Sequence, residues 1–192
     1  MRKVTAGLYI TLDGVIEAPG SGDPTLPGKS GWSEPFTNDE IGALILNQID
    51  NCDALLLGRK TYQGFAAFWP SVPDENPFGY RMNNTPKYVV STTLNSVEWK
   101  NSTLLKGNLA DEINRLKQQP GKNISMTGSC ELVFSLLQQN LLDELQLMIC
   151  PVVLGVGKRL FKESDVTKSL KLADSRTFST GVVLLTYQPA AQ

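Results

Sequence analysis

Residues 123–137 read NISMTGSCELVFSLL and form the clearest structural unit of the sequence. Asn123 to Met126 has the composition of a short strand, and the next three residues, Thr127 to Ser129, are small and typical of a sharp turn. The apolar residues that follow recur at helical spacing, at positions 132, 133, 136 and 137. A strand, a small-residue turn and a helix in this order predict one β-α unit of an α/β fold.

The same alternation extends in both directions from this unit. Strands are predicted where apolar and β-branched residues cluster, at residues 3–12, 53–57, 87–91, 102–105, 144–153 and 182–187. Helices are predicted at 59–69, at 109–116 and from Thr37, which forms a capping box with Glu40 ahead of an apolar stripe. Loops rich in proline and glycine are predicted at 18–36 and 70–86. This order predicts a mostly parallel central sheet with helices on both faces and antiparallel C-terminal edge strands.

Length and composition narrow the classes of protein to consider. A chain of 192 residues can be built around one hydrophobic core, so we expect a single domain over residues 1–192. Its 18 basic and 19 acidic residues leave a formal charge of −1, which argues against a nucleic-acid partner. No apolar run is long enough to span a membrane, and the basic start of the chain leads into no signal-type apolar core. We therefore expect a cytoplasmic protein that does not bind membranes.

The chain has no histidine, which excludes Ser-His-Asp and Cys-His catalysis and removes the commonest metal ligand. Its three cysteines, at positions 52, 130 and 150, are far apart and odd in number. They predict neither a disulfide framework nor a zinc site, and we expect them to be buried thiols. Any chemistry must therefore rest on carboxylates, hydroxyls, backbone groups or an organic cofactor, with no metal predicted.

Three turns that follow predicted strands carry residues suited to an anion. Gly58 to Thr61 combines a glycine, two basic side chains and a hydroxyl at a helix start, where backbone N–H groups are unpaired. Thr127 to Ser129 has similar geometry, and Ser91 to Thr93 is a cluster of hydroxyls. Taken singly, each has an ordinary alternative: a solvated basic pair, a helix cap or a polar turn. Together, because parallel strands end at one edge of a sheet, they predict a site for an extended phosphorylated ligand such as a dinucleotide.

Two common nucleotide motifs are absent. Gly28-Lys29-Ser30 resembles the end of a P-loop, but the position that requires the first glycine is Asp23, and prolines at 24 and 27 remove backbone donors. Residues 155–160 begin as Gly-x-Gly but lack the third glycine of the dinucleotide fingerprint. A phosphotransferase that uses Gly28 to Ser30 is therefore disfavoured.

Five segments recur in a family's order over nearly the whole chain: TLDGVIE (11–17), LLGRKTYQGF (56–65), YVVSTTL (88–94), ISMTGSCELVFSLLQQNLLDEL (124–145) and PVVLGVGKRLF (151–161). With them the chain resembles the dihydrofolate reductase-like superfamily, and within it the reductase domain of the bifunctional riboflavin-biosynthesis deaminase-reductase. The resemblance implies a three-layer α/β fold, NADPH as cofactor and a homodimer.

The resemblance also implies which residues hold the cofactor. Gly58 to Thr61 would hold the 2′-phosphate and the pyrophosphate. Ser91 and Thr92 would lie by the adenosine ribose or its 2′-phosphate, and Gly128 and Ser129 would lie at the pyrophosphate. Members of the family often carry a double glycine where this chain has Thr127-Gly128. The implied cofactor-binding residues are Gly58, Arg59, Lys60, Thr61, Ser91, Thr92, Thr127, Gly128 and Ser129.

The implied activity is NADPH-dependent reduction of a small heterocyclic substrate, most similar to that of 5-amino-6-(5-phosphoribosylamino)uracil reductase. The candidate catalytic residues are carboxylates that could supply a proton: Asp39 and Glu40, where dihydrofolate reductases bind the pterin ring, and Asp13, in a turn near the expected nicotinamide. Each has a structural alternative, since Glu40 is the predicted capping partner of Thr37 and Asp13 can stabilise its own turn.

Two further functions stay open at this point. The chain could be a non-catalytic dinucleotide-binding or regulatory protein on the same fold. It could also reduce a pterin or another small carbonyl or imine compound, because fold-level likeness does not choose a substrate.

Overall fold

A computed structural model describes residues 1–20, 26–161, 163–164 and 167–190. Its strands are β1 (Val4–Thr11), β2 (Cys52–Gly58), β3 (Lys87–Val90), β4 (Ser102–Leu105), β5 (Asn123–Met126), β6 (Glu144–Cys150), β7 (Leu170–Thr177) and β8 (Val183–Pro189). Its helices are α1 (Asp39–Asp50), α2 (Arg59–Phe68), α3 (Pro77–Asn84), α4 (Leu109–Gln118) and α5 (Cys130–Gln138), with two short 3₁₀ turns at Glu34–Phe36 and Trp69–Ser71.

The strands form one eight-stranded sheet in the order β4-β3-β2-β5-β1-β6-β8-β7. Strands β1 to β6 pair in parallel with their neighbours, whereas β8 is antiparallel to β6 and β7 is antiparallel to β8. The predicted α/β class, with a mostly parallel sheet and antiparallel C-terminal strands, is confirmed.

Helices cover both faces of the sheet, which gives three layers. Along β1, Val4, Ala6, Leu8 and Ile10 point into a core shared with α4 and α5. Strand β2 is buried on both sides: Ala54 and Leu56 belong to that same core, while Leu55 and Leu57 pack with residues of α1, α2 and α3. A strand covered on both faces has to be apolar at every position, which accounts for the unbroken run of leucines.

Two elements depart from the sequence expectation. Residues 70–86, predicted as a loop, contain helix α3, which begins where the Asn76 side chain accepts hydrogen bonds from the N–H groups of Phe78 (2.9 Å) and Gly79 (3.1 Å). Proline at the first position of the helix has the right φ and needs no hydrogen-bond partner. Strand β7 lies in a stretch that was predicted only as polar. It is exposed along most of its length and pairs only with β8, so it carries no apolar alternation.

The predicted capping box at the start of α1 is wrong. The N-cap is Asn38, whose Oδ1 accepts a hydrogen bond from the Ile41 N–H at 3.0 Å. The Thr37 hydroxyl instead donates to the Ser33 carbonyl at 3.1 Å, and Glu40 forms an ion pair with Arg176 of β7. A cap one residue further along places Thr37 outside the helix, so its hydroxyl cannot reach the first turn.

All three cysteines are buried and none forms a disulfide. Burial raises the pKa of Cys52 and Cys150 to about 11, which keeps these thiols protonated and unreactive near neutral pH. Within the described residues, no helix combines the length and apolar character needed to cross a membrane.

Candidate functional site

The candidate site lies at the carboxyl edge of the sheet, where the parallel strands end together. In spatial order, β3 ends before Ser91, β2 before Arg59, β5 before Thr127 and β1 before Leu12. In open α/β sheets this edge is the usual place for a ligand, because loops and helix N-termini converge there.

The turns after β2 and β5 touch each other. A Cβ added at Gly58 would overlap the Ser129 hydroxyl and lie 3.0 Å from the Ser129 Cβ, so a side chain there would force Ser129 to shift. On the other side of the contact, a Cβ on Gly128 would lie 2.8 Å from the Thr61 hydroxyl oxygen. Gly128 also has φ +141°, which residues with a side chain rarely adopt. The structure therefore brings the two turns predicted from sequence into one site.

The helices that leave these two turns have uncapped N-termini. Neither Gly58 at the start of α2 nor Ser129 at the start of α5 makes a side-chain hydrogen bond to the first helical turn. The first N–H groups of a helix have no partner within it, and the helix dipole places partial positive charge there. Two such ends side by side form an electropositive surface that suits a phosphate group.

Basic side chains add to this charge. Arg59 and Lys60 are exposed in the first turn of α2, and Arg59 donates a long hydrogen bond (3.4 Å) to Gln63. The Lys60 amine lies near that of Lys158, from the loop after β6, and this contact together with the Lys158 charge lowers the pKa of Lys60. Lys158 was not among the residues predicted from sequence, although it lies in PVVLGVGKRLF (151–161), one of the five segments that carry the resemblance.

The hydroxyls after β3 divide into a structural and an accessible one. Ser91 is buried, and its Oγ accepts hydrogen bonds from the N–H groups of Thr93 (3.2 Å) and Leu94 (3.0 Å), which fixes the turn. Thr92 is exposed, and its hydroxyl can reach a ligand at this edge. Thr127 is likewise exposed beside the contact between the two glycine turns.

Asp13 is held as an ionised carboxylate. Its oxygens accept hydrogen bonds from the Thr11 hydroxyl (2.7 Å) and from the N–H groups of Leu154 (3.1 Å) and Gly155 (2.9 Å). These donors, the Thr11 hydroxyl first, lower the pKa of Asp13 to about 2. These three donors occupy the Asp13 carboxylate and fix it against the loop after β6, and the catalytic role of Asp13 stays a prediction.

The two carboxylates at the start of α1 differ in their surroundings. Glu40 is held by Arg176, and the neighbouring Asn38 side chain donates to the Ser179 hydroxyl at 3.3 Å. The start of α1 is thus fixed to the β7–β8 hairpin. Asp39 is exposed and makes no side-chain contact that would hold it in one place among the described residues. Of the three predicted proton donors, Asp39 alone keeps an accessible carboxylate that is outside an ion pair.

The P-loop-like segment does not form a phosphate cradle. The Lys29 amine donates to the Leu154 carbonyl at 2.9 Å, and residues 27–33 run through turns that do not lead from a strand into an α-helix. Asp23 and Pro24, which also spoil the motif, lie outside the described residues. Across the part of the chain that the structure describes, no group of three or more Cys, Asp or Glu residues could hold a metal ion.

Comparison with known proteins identifies the family. The model of the RibD C-terminal domain matches residues 2–184. The chain belongs to the RibD C-terminal domain family. A relative in this family, the uncharacterized protein YyaP of Bacillus subtilis (strain 168), is 34% identical over 190 residues, which cover 97% of this chain and 94% of the relative.

Solved structures show the same fold. A protein from Shewanella sp. PV-4, provisionally assigned to riboflavin biosynthesis, covers 100% of both chains with TM-score 0.72 and 23% identity. A deaminase and 5-amino-6-(5-phosphoribosylamino)uracil reductase from Thermotoga maritima matches 98% of this chain and 57% of its own with TM-score 0.67 and 15% identity. Dihydrofolate reductase from Enterococcus faecalis, complexed with NADP(H), matches 98% of this chain and 97% of its own with TM-score 0.57 and 16% identity. The fold is therefore dihydrofolate reductase-like, as the sequence resemblance implies.

Proposed function

We propose that this chain is an NADPH-dependent reductase of a small heterocyclic compound, similar to 5-amino-6-(5-phosphoribosylamino)uracil reductase. The observation that carries the proposal is the contact between the uncapped N-termini of α2 and α5 beside Arg59 and Lys60. This arrangement suits the pyrophosphate of a dinucleotide. Membership of the RibD C-terminal domain family supports it, as does the NADP(H) bound by the dihydrofolate reductase of similar fold.

The order of the strands suggests how the cofactor would lie. The adenosine end would lie by Ser91 and Thr92 after β3, with the 2′-phosphate by Arg59, and the pyrophosphate would lie where the turns after β2 and β5 meet. The nicotinamide would then reach the ends of β1 and β6. NADPH supplies a hydride when bound, and the protein's part is to bind it in one orientation against the acceptor and to deliver a proton.

Asp39 and an ordered water are the remaining candidates for the proton. Glu40 is held by Arg176, and the Asp13 carboxylate already accepts three hydrogen bonds. This shortage of available carboxylates favours one second candidate function, a non-catalytic NADPH-binding or regulatory protein on the same fold. The two functions differ in a simple observation, namely whether any acceptor oxidises bound NADPH.

A thermal-shift comparison tests the proposal directly. NADPH, NADH and ATP with Mg²⁺ are added at matched concentrations, because a ligand that binds only the folded state raises the melting temperature. We expect NADPH to give the largest shift and ATP with Mg²⁺ to give none. If neither nicotinamide nucleotide shifts the transition, the proposal is wrong. A screen of pyrimidine, pterin, carbonyl and imine acceptors, followed by the loss of NADPH absorbance, then separates the reductase from the binding protein.

The homodimer and the cytoplasmic location stay predictions. Pairing of two copies through strand β7 is disfavoured, because that edge carries Lys171, Asp174 and Arg176 and an irregular register between Leu172 and Asp174. Sedimentation equilibrium of the purified protein measures the oligomeric state, and a single species of monomer mass would contradict the homodimer.

A further inference from the structure

The segment after β6, residues 151–161, is named here the Lys158 loop, and it is bonded to the segment after β1. The Leu12 N–H donates to the Val152 carbonyl (2.9 Å), and the Leu160 N–H donates to the Gly14 carbonyl (3.0 Å). Between these points the Ile16 N–H donates to the Lys158 carbonyl at 2.9 Å. The two segments therefore form one unit at the carboxyl edge of the sheet.

Two carboxylates in the segment after β1, those of Asp13 and Glu17, also hold the Lys158 loop in place. Asp13 accepts from the N–H groups of Leu154 and Gly155, and its own carbonyl accepts from the Arg159 side chain at 2.8 Å. Glu17 accepts from the Lys158 N–H at 3.0 Å, and its carboxylate lies 3.5 Å from the Lys158 amine. The Glu17 side chain is only 14% exposed, so it is held in place by its surroundings.

The loop also lies against the start of α5, where the Cys130 thiol donates to the Arg159 carbonyl at 3.0 Å. This brings the Lys158 amine near that of Lys60 at the start of α2, and the contact lowers the pKa of Lys60. The charges that face the pair are Arg59, Glu17 and Glu131. Two amines in contact beside two helix N-termini repel each other, and an anion between them would relieve this repulsion.

We propose that Lys158 is a binding residue for the cofactor pyrophosphate, and that Asp13 and Glu17 are the positioning residues that hold it there. The inference rests on the proposed function and deepens it, because it assigns a second basic side chain, from the far side of the site, to the same phosphate. Lys60 approaches from β2, Lys158 from β6, and the turn after β5 lies between them.

The pyrophosphate is favoured over the 2′-phosphate by position. The adenosine end belongs with β3, beyond β2, whereas the Lys158 loop approaches from the opposite side, where β1 and β6 end. A cation at the pyrophosphate contacts a group that NADPH and NADH share. Loss of Lys158 should therefore weaken both nucleotides equally, unlike the loss of Arg59.

The experiment compares Lys158→Met with the matched surface variant Lys171→Met on the exposed strand β7. The dissociation constants of NADPH, NADH and inorganic pyrophosphate are measured by calorimetry for each. We expect Lys158→Met to weaken all three about 10-fold, since a charge-assisted contact to phosphate is lost. Lys158→Arg should retain most of the affinity, and Lys171→Met should equal the wild type.

The positioning role of Glu17 is tested by the same measurement of dissociation constants. Glu17→Ala removes the acceptor of the Lys158 N–H and should weaken pyrophosphate binding to a similar extent. The double variant Glu17→Ala/Lys158→Met should be no weaker than Lys158→Met alone, because Glu17 acts through Lys158. Full additivity of the two losses would contradict the positioning role.

The outcomes separate this inference from the proposed function. If the wild type binds pyrophosphate through Lys158 but binds neither nicotinamide nucleotide, the assignment of Lys158 to a phosphate site holds and the cofactor assignment is wrong. If NADPH binds and Lys158→Met, folded by its melting temperature, binds NADPH and pyrophosphate as the wild type does, the inference is overturned and the cofactor assignment stands. Failure of the wild type to bind any of the three ligands overturns both.

Discussion

The five α-helices of the described residues fall into two groups according to how they begin. Helices α1, α3 and α4 start at Asn38, Asn76 and Asn108, each of which accepts a hydrogen bond from the first turn through its side chain. Helices α2 and α5 start at Gly58 and Ser129 without such a bond. Ser129 has a hydroxyl that could cap α5, so residue type does not explain the difference. The uncapped pair are the two helices whose first residues touch, and their N–H groups are left for a ligand.

Gly58→Ala should break this arrangement most strongly. The added methyl overlaps the Ser129 side chain, so the turns must separate. We expect the free energy of unfolding to fall by about 1–3 kcal/mol and NADPH affinity to fall about 100-fold, because the two helix ends no longer share one phosphate. Denaturant titration and calorimetry measure the two effects.

The control is Gly42→Ala in α1, where an added Cβ has nothing within 4 Å. It should leave NADPH binding unchanged and raise the free energy of unfolding by about 0.5–1 kcal/mol through helix propensity. The second change Ser129→Gly, added to Gly58→Ala, should restore part of the lost stability. A single Gly58→Ala variant with wild-type affinity would show that the contact between the turns is not needed for binding.

Arg59→Ala should have the next largest effect, and it should distinguish the nucleotides. Without the guanidinium, NADPH affinity should fall about 10-fold and NADH affinity much less, since NADH lacks the 2′-phosphate. The matched control is Arg115→Ala, which removes the exposed basic partner of Glu112 in an ion pair on α4. It should change neither the NADPH nor the NADH dissociation constant. Equal losses for NADPH and NADH, or none, would refute the 2′-phosphate assignment.

The sequence predicted the parts of the molecule whose signal is local. Strands β4 and β5 and the turns at Gly58 and Thr127 follow from short runs of apolar and small residues. Helix α3 was missed because its glycine and asparagines resemble a loop, although Asn76 followed by Pro77 is a helix-start signal. Strand β7 was missed because an edge strand exposed on both faces has no apolar period.

The contacts that change the interpretation of the site are long-range. Asp13 binds the backbone of residues 154 and 155, Glu40 pairs with Arg176, and Lys60 meets Lys158. Each pair is separated by roughly a hundred residues or more, so no local pattern joins its two members. Sequence alone therefore offered Asp13 and Glu40 as catalytic candidates, and it assigned no role to Lys158 although segment 151–161 carries part of the resemblance.

Two single substitutions test whether the capped and uncapped helices differ in solution: one removes the Asn108 amide and the other the Ser129 hydroxyl. Asn108→Ala should lower the free energy of unfolding by about 1 kcal/mol, because α4 loses its cap, and should leave NADPH affinity unchanged. Ser129→Ala should change stability by less than about 0.5 kcal/mol, because no cap bond is lost. A larger loss for Ser129→Ala than for Asn108→Ala would mean that Ser129 does cap α5 in solution.

The smallest of the expected effects concerns Asp13, whose contacts with the Lys158 loop lie beside the uncapped helices. Its pKa is about 2 in the folded protein against an ordinary value of 3.8, so its contribution to stability is present above about pH 4. That contribution should be lost as the pH falls towards 2. Chemical denaturation of the wild type and Asp13→Asn at a series of pH values measures it. The difference between them should shrink through this window, and a constant difference would contradict the assignment.

The contact between Gly58 and Ser129 also has an evolutionary consequence. Since the side chain at 129 occupies the volume that a side chain at 58 would need, position 58 can gain a side chain only where position 129 has lost its own. Relatives with a glycine at the position of Ser129 are the ones in which an alanine or serine at the position of Gly58 is tolerated. Substitutions at positions 58 and 129, which lie more than seventy residues apart in the chain, should therefore be correlated among members of the family.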